Sequence, residues 1–500
     1  MEFQYIIVQA GGKGTRMGHL TRNKPKALVP IDNLPMLFHL FRRYPDKKFV
    51  IIGDYKYDVL ERYLKAFATV DYTLVNAFPH SGTCAGITGA LEHIPHDQAF
   101  LLIWSDLILP NQFAAPEEPG NYIGIAKDFP CRWKYENGVF QEERSDTQGV
   151  AGLFFFENKA CLDGVPEDGE FVRWLSTQDY FYRELPIFQM KEYGLRSAYD
   201  ALEVKKCRPF NSISIDGEIL TKRPLDQQGA ELADKEIAWY RYVQTLGFES
   251  IPQLFSFEPL SMEVIHGKNL YELTDLSASE KAQCLQKIIA AIKNLHSLSQ
   301  QEADENSYYE AYFSKTVSRL DKIRDLVPFA GDEIIHINGQ ACKNIFYHFD
   351  RLKTLLAQYL PQSFRLIHGD CTFSNLLLKE NGEPVFIDPR GYFGHTKLYG
   401  DPAYDWAKLY YSLVGNYDQF NLKRFDLNIR ENDVQLSMES NGWEFLEDQF
   451  FSLLQTEVSR PQMQLFHGII WLSLTTYAWE DYDSICGAFY NGLFQLRGIL

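Results

Sequence analysis

In the second half of this 500-residue chain, one stretch combines the residue types that can move a phosphoryl group. It reads Ile367-His368-Gly369-Asp370-Cys371-Thr372-Phe373-Ser374-Asn375 and is followed by Val385-Phe386-Ile387-Asp388-Pro389-Arg390. An attacking hydroxyl needs a base, and Asp370 is the candidate. An amide oxygen from Asn375 and a second carboxylate, Asp388, are the types that hold Mg²⁺ on the phosphates of ATP. His368 would position the loop, and Asn381-Gly382 marks a tight turn between the two segments.

The first half has its own phosphate-handling stretch. Gln9-Ala10-Gly11-Gly12-Lys13-Gly14-Thr15-Arg16-Met17 comes directly after the strand-like Tyr5-Ile6-Ile7-Val8. Glycines let backbone N–H groups approach a triphosphate closely. Lys13 and Arg16 add positive charge, and Lys24-Pro25-Lys26 adds more shortly afterwards. The spacing fits neither G-x-G-x-x-G nor G-x-x-x-x-G-K-[ST]. Asp106 follows the apolar run Phe100-Leu101-Leu102-Ile103-Trp104. Open α/β sheets build their sites at that end of a strand, where a carboxylate can meet Mg²⁺.

Gly-Gly-x-Gly-Thr-Arg-Met followed by Pro-Lys-x-Leu-Val-Pro resembles the sugar-phosphate nucleotidyltransferase family, which includes phosphocholine cytidylyltransferases. The resemblance implies that Gly11, Gly12, Lys13, Gly14 and Thr15 bind a nucleoside triphosphate. Arg16 would hold its β- and γ-phosphates, and Lys26 would stabilise charge at the attacked α-phosphate. Asp106 matches the family's metal aspartate. Asp200, in Arg196-Ser197-Ala198-Tyr199-Asp200, is the candidate for a second metal carboxylate. Gly82 and Thr83, in His80-Ser81-Gly82-Thr83-Cys84, resemble the base-reading loop. Gly152, in Gly149-Val150-Ala151-Gly152-Leu153, resembles the substrate-side strand. An ordinary loop is the alternative reading of each.

The Asp370, Asn375, Asp388 layout resembles the aminoglycoside phosphotransferase and choline kinase-like family, over roughly residues 208–500. That resemblance implies Lys222 as the lysine on the α/β-phosphates and Glu236 as its ion-pair partner. Glu263, in Met262-Glu263-Val264-Ile265-His266-Gly267, would lie in the inter-lobe hinge whose backbone meets adenine. Gly400-Asp401-Pro402-Ala403-Tyr404-Asp405-Trp406 matches a later motif of the family, with Asp401 and Asp405 in structural roles. No G-x-G-x-x-G loop covers the phosphates.

A kinase makes a phosphate ester and a nucleotidyltransferase consumes one. Their fusion implies successive steps, from an alcohol to its phosphate to a nucleotide-activated product. The substrates would be ATP, a second nucleoside triphosphate and a small hydroxyl compound, with Mg²⁺ as cofactor. Arg390 beside the metal-type aspartate disfavours a cationic substrate and suits hydroxyls or a carboxylate. A structural ion pair is the alternative for it. The expectation is a sugar or polyol destined for a surface glycan. A choline or ethanolamine kinase joined to a cytidylyltransferase is the runner-up. A third possibility keeps one active domain and makes the other a ligand-binding regulator.

Strands and helices alternate through the first ~205 residues, as in an α/β sheet with crossover helices. Strand candidates are Tyr5–Val8, Phe49–Ile52 and Phe100–Trp104, with a helical pattern over 57–66. A composition break near Lys205-Lys206-Cys207-Arg208-Pro209 divides residues 1–205 from 206–500. The second part opens with a hairpin at Asp216-Gly217, then a helix over about 230–246, a strand at 260–265 and mostly helix. Ser277-Ala278-Ser279-Glu280 reads as a capping box. The expected fold is α/β: a Rossmann-like nucleotidyltransferase domain followed by an α+β bilobal kinase-like domain. A net charge of −17 argues against nucleic acid as a partner. Eight scattered cysteines suggest neither zinc nor disulfides, and the N-terminal residues lack a signal-peptide pattern. No apolar run approaches a membrane span, so a cytoplasmic enzyme is expected.

Overall fold

The structure, a computed structural model, describes residues 1–202 and 211–500. The boundary drawn at 205/206 and the composition break around it lie outside the described residues. Two compact units emerge: residues 1–202 with Trp479–Asp483, and residues 211–478 with Ser484–Leu500.

The first unit is built on a nine-stranded mixed sheet. Tyr5–Gln9 is central and pairs in parallel with Lys48–Gly53 on one side and Phe100–Trp104 on the other. Asp71–Asn76 adds a further parallel strand beside Lys48–Gly53. Ile6, Ile7 and Val8 are fully buried, as expected for strands covered on both faces. Helices Met36–Arg43, Tyr57–Phe67 and Ile87–Glu92 provide the crossovers. Gly149–Phe156 then joins Phe100–Trp104 antiparallel, so the Rossmann-like half carries an antiparallel flank.

The pentapeptide Trp479–Asp483, from far along the chain, belongs to this unit. There the buried Lys24 ammonium lies 3.0 Å from Asp481 and also bonds Asp483. The first lysine of Lys24-Pro25-Lys26 is thereby committed to packing.

The second unit opens with an antiparallel sheet of Asn211–Asp216, Ile219–Pro224, Leu260–Glu263 and Leu254–Phe257. Asp216 pairs with Ile219, leaving Gly217 and Glu218 as the hairpin turn. The long helix Gln227–Thr245 follows, capped by Asp226. The chain then enters a sheet of Gly267–Asn269, Leu376–Lys379 and Pro384–Phe386. Ser277 and Glu280 form the foreseen capping box at the start of Ala278–Leu298. That helix buries Leu285, Ile288, Ile289, Ile292 and Leu295 along one stripe. A four-stranded sheet from 334–343 and 425–438 lies within the region expected to be mainly helical. Among the described residues, no helix is long and apolar enough to cross a membrane.

One buried group sets an acid limit on this unit. His467 is 2% exposed, and its Nε2 accepts from Trp471 Nε1 at 2.9 Å. Burial holds its pKa down to about 3. The unfolded chain takes up a proton near pH 6.5 that the folded chain refuses, so stability is lost as pH falls below that point. The slope is about 1.4 kcal/mol per pH unit from this group. Denaturant titrations at pH 7, 6 and 5 should show a shallower acid loss in His467→Gln than in the wild type.

Candidate active sites

The first site grows from the loop after the central strand. Gly14 has φ 62°, and a side chain there would press on Thr21 and Lys26. Gly11 packs against Asp54, whereas Gly12 faces open space. Lys13 lies over the Tyr55 ring at 5.6 Å. Lys13 and Thr15 line a cavity of about 280 Å³ together with Thr21, Arg22 and Tyr55. The loop thus presents backbone and positive charge to an open cleft.

Lys26 reaches from the loop to bond Asp106, which follows strand Phe100–Trp104. A two-residue strand, Lys191–Glu192, pairs antiparallel with Leu107–Ile108 and sets Glu192 opposite Leu107. The Tyr193 N–H donates to Asp106 O at 3.0 Å, locking this corner. Glu192 is thereby brought to Asp106. Burial raises its carboxyl pKa and the Asp106 charge adds to the rise, while Lys26 and Arg16 pull it back.

The place foreseen for Asp200 beside Asp106 is taken by Glu192. Asp200 is engaged elsewhere: it lies on the exposed helix Arg196–Asp200 and accepts from Arg196 Nε at 2.8 and 3.0 Å. Its i,i+4 partner on the same helix face satisfies it locally. Sequence gave no sign of Glu192, because a strand of two residues has no periodicity to read.

Gly82 and Thr83 lie in a loop tied to residues 168–171. The Phe171 N–H donates to Thr83 Oγ1 at 2.8 Å, and Gln9 Nε2 donates to Thr83 O at 2.7 Å. Gly152 has φ 81° and lies against the Trp104 indole, which any side chain would strike. The register shift between Val150 and Phe154 marks a bulge there, of the kind that re-aims a strand beside a site.

In the second unit, Lys222 Nζ bonds both Glu236 oxygens at 2.8 Å and Asp388 Oδ1 at 2.5 Å. Burial acts to lower the Lys222 pKa, but the charges of Asp388 and Glu236 outweigh it and raise it. Asn375 Nδ2 donates to Asp370 O at 2.9 Å and to Asp370 Oδ2 at 3.0 Å. The other end of that amide is its oxygen, the atom that suits a metal. Asp388 adopts φ 56°, a strained conformation for a residue with a Cβ. His368 is buried and fixes the loop: its Nε2 meets Ile387 O at 3.0 Å, and its Nδ1 accepts from Asp370 N at 3.2 Å. Burial depresses its pKa, consistent with a neutral ring. Asp405 accepts the N–H groups of His368 and Gly369 at 2.9 and 2.7 Å. Asp401 caps helix Pro402–Leu413. Glu263 ends a sheet strand, and its side chain bonds Lys379 at 3.1 Å.

Arg390 donates to the Tyr404 and Tyr392 hydroxyls at 3.1 Å each. Lys408 lies 3.0 Å from Asp370 Oδ1 and was not read from sequence. It follows Tyr404 by one helical turn in the later motif, a spacing that could have flagged it.

Two families match, one per unit. Residues 6–115 match the MobA-like NTP transferase domain, and residues 214–428 match the phosphotransferase enzyme family. The chain is 32% identical over 106 residues to UTP–glucose-1-phosphate uridylyltransferase AglF of Haloferax volcanii, covering 20% of this chain and 43% of that protein. It is 28% identical over 200 residues to glucose-1-phosphate cytidylyltransferase of Salmonella typhimurium, covering 32% of this chain and 78% of that protein. The chain thus spans less than half the length of the first of these relatives. Among solved structures, HddC from Yersinia pseudotuberculosis has 16% identity and a TM-score of 0.34, covering 39% of this chain and 96% of that one.

Both donor sets suit a hard cation. Mg²⁺ takes one or two carboxylates and completes its shell with phosphate oxygens and water. Asp106 with Glu192, and Asp388 with Asn375, are oxygen sets of that size. Each already draws a lysine ammonium onto its aspartate. Among the described residues no larger cluster of His, Cys, Asp and Glu is placed for a metal. Pyrophosphate release from a nucleoside triphosphate and a sugar phosphate should fall by about a hundredfold or more in Asp106→Asn and Glu192→Gln. Asp200→Asn should lose less than about threefold, because its charge serves Arg196. A loss in Asp200→Asn as large as in Glu192→Gln would reverse this ranking.

Proposed function

We propose that this chain carries out two consecutive transfers. The second unit phosphorylates a small sugar or polyol with ATP. The first unit then joins that phosphate to the α-phosphate of a second nucleoside triphosphate, releasing pyrophosphate. The product is a nucleotide-activated precursor, suited to surface glycan assembly. Mg²⁺ is the proposed metal of both steps, and the cytoplasm, where both nucleotides are abundant, is the proposed location.

One observation carries the reading. Each unit brings together its own set of charged and polar side chains: Lys26, Asp106 and Glu192, with Arg16 acting on Glu192, in one, and Lys222 with Asp388, and Asn375 with Asp370, in the other. In the first, Lys26 and Arg16 would neutralise the α-phosphate as the incoming phosphate attacks in line, and Gly11 to Thr15 would hold the triphosphate. Thr83 and Gly82 would border the base, and Gly152 the acceptor. In the second, Asp370 would accept the hydroxyl proton, Lys222 held by Glu236 would orient the ATP phosphates, and the backbone at Glu263 would meet adenine. Mg²⁺ would supply charge neutralisation on the phosphates in each site. Relatives named for glucose 1-phosphate support a sugar phosphate as acceptor of the nucleotidyl group.

The test separates the halves. Asp106→Ala should abolish pyrophosphate release and spare ADP formation. Asp370→Ala should do the reverse, each by at least about a hundredfold. If either substitution left both half-reactions intact, the two-step reading would fail. Loss of both from one substitution would count against independent sites.

A further inference from the structure

Trp479–Asp483 belongs to the first unit, although the described chain from 211 to 478 and from 484 to 500 belongs to the second. The segment is held at both ends. Trp479 packs on Phe38 and Phe67 of helices Met36–Arg43 and Tyr57–Phe67, at ring-centre distances of 5.6 and 5.8 Å. Its carbonyl oxygen accepts from the Tyr63 hydroxyl. At the other end, Asp481 lies 3.0 Å from the Lys24 ammonium, and Asp483 bonds the same ammonium. Asp483 Oδ1 also accepts from Asn23 Nδ2 at 3.0 Å. The Lys24 and Asp481 side chains are 2% and 5% exposed, so the carboxylates, not water, must balance the ammonium. Burial acts to lower the Lys24 pKa, but the charges of Asp481 and Asp483 outweigh it and raise it.

Lys24 precedes Lys26 by two residues, and the backbone between them has little freedom. Pro25 has φ −68° and ψ 157° and leads into the tight turn Lys26–Leu28. Its carbonyl accepts from the Leu28 N–H at 3.0 Å, and the Lys26 carbonyl accepts from the Val29 N–H at 3.0 Å. Proline fixes φ, so an anchored Lys24 also anchors the Lys26 backbone. The Lys26 ammonium then bonds Asp106. The glycine loop has fixtures of its own: Thr21 Oγ1 and the Met17 N–H donate to Gly14 O at 3.1 and 2.8 Å. The buried triad of Lys24, Asp481 and Asp483 therefore bears on Lys26 more than on the loop that would hold the triphosphate.

We propose that Asp481 and Asp483 are positioning residues of the nucleotidyl transfer, acting through Lys24 to set Lys26 against the α-phosphate. This rests on reading the first unit as a nucleotidyltransferase. In the transfer, an oxygen of the acceptor phosphate bonds the α-phosphorus. The bond to the α,β-bridging oxygen breaks, and pyrophosphate leaves with that electron pair. Charge grows on the α-phosphate oxygens meanwhile, and a lysine misplaced by about 1 Å loses much of its effect on it. A reaction of the first unit thus depends on two carboxylates that follow the whole kinase constellation in sequence. A chain cut before Trp479 would keep the glycine loop, Lys26, Asp106 and Glu192, yet lack the groups that hold Lys24.

The test uses the intact chain with Mg²⁺, glucose 1-phosphate and, in turn, CTP, UTP, GTP and dTTP, reading pyrophosphate release. In Asp481→Asn/Asp483→Asn, kcat should fall about tenfold or more while the KM for the nucleotide moves less than about threefold. Amide exchange over residues 23–29 needs no acceptor and should quicken about tenfold or more in the same variant. The affinity for MgADP, which reports on the second unit, should move less than about twofold. The triple variant Lys24→Met/Asp481→Asn/Asp483→Asn removes the buried charges together. Its thermal stability should return towards that of the wild type, while kcat stays low because residue 24 is no longer tethered. A purely structural role predicts that activity returns with stability, and that result overturns the proposal. So does unchanged kcat or unchanged exchange in the double variant, and so does an equal loss of MgADP affinity, the mark of general unfolding. If the double variant does not fold, the triple variant decides. If the wild-type chain neither binds any of the four nucleotides nor releases pyrophosphate, the nucleotidyltransferase reading falls and this inference with it.

Discussion

A carboxylate drawn out of bulk water needs a positive charge at hand, and a buried ammonium needs a carboxylate. In each unit that requirement fixes where reactive atoms lie. Lys26 bonds Asp106 in the first, and Lys222 bridges Glu236 and Asp388 in the second. Loss of either lysine would leave its carboxylates without a counter-charge. Both are also arrangements that a divalent cation and a triphosphate can enter, because the ammonium and the phosphates carry complementary charges. The lysines hold the carboxylates in place, so little reorganisation is asked of the protein when nucleotide arrives.

The groups around these pairs serve mainly to hold them. Asp405 takes two backbone N–H groups from the loop that carries Asp370, and His296 Nε2 meets the same carboxylate at 3.0 Å. A buried aspartate with that many donors behaves as a rigid anchor. His368 joins the loop to Ile387 and so ties Asp370 to the strand end that carries Asp388. In the first unit the short ladder between Lys191–Glu192 and Leu107–Ile108 plays the corresponding part. Two residues of pairing suffice because the Tyr193 N–H closes the corner onto Asp106.

The whole chain carries a net charge of −17, yet Lys408 lies 3.0 Å from Asp370 and the Arg390 side chain packs beside Gly369. Net charge governs solubility and long-range encounter, whereas ligand choice follows the local field inside a cleft. The Tyr392 and Tyr404 hydroxyls orient the Arg390 guanidinium through hydrogen bonds.

Much of this was legible in the residues themselves. Runs such as Ile6-Ile7-Val8 and Phe100–Trp104 form strands because continuous apolar sequence suits a sheet covered on both faces. Ser277 and Glu280 satisfy helix-end donors within four residues of chain. The spacing of Asp370, Asn375 and Asp388 is local, and a tight turn is enough to bring the segments together. What the sequence could not specify were the meetings that depend on distant pairing. Glu192 stands at Asp106 only because two short strands find one another, and Asp200, more conspicuous in the chain, is satisfied by Arg196 a turn away. Lys408 meets Asp370 only because helix Pro402–Leu413 packs beside the loop that carries the aspartate. Trp479–Asp483 joins the first unit in the same way, beside Lys24. Local pattern determines element and motif because its physics acts between near neighbours; charge environment is decided in three dimensions because electrostatic energy depends on distance through space, not along the chain.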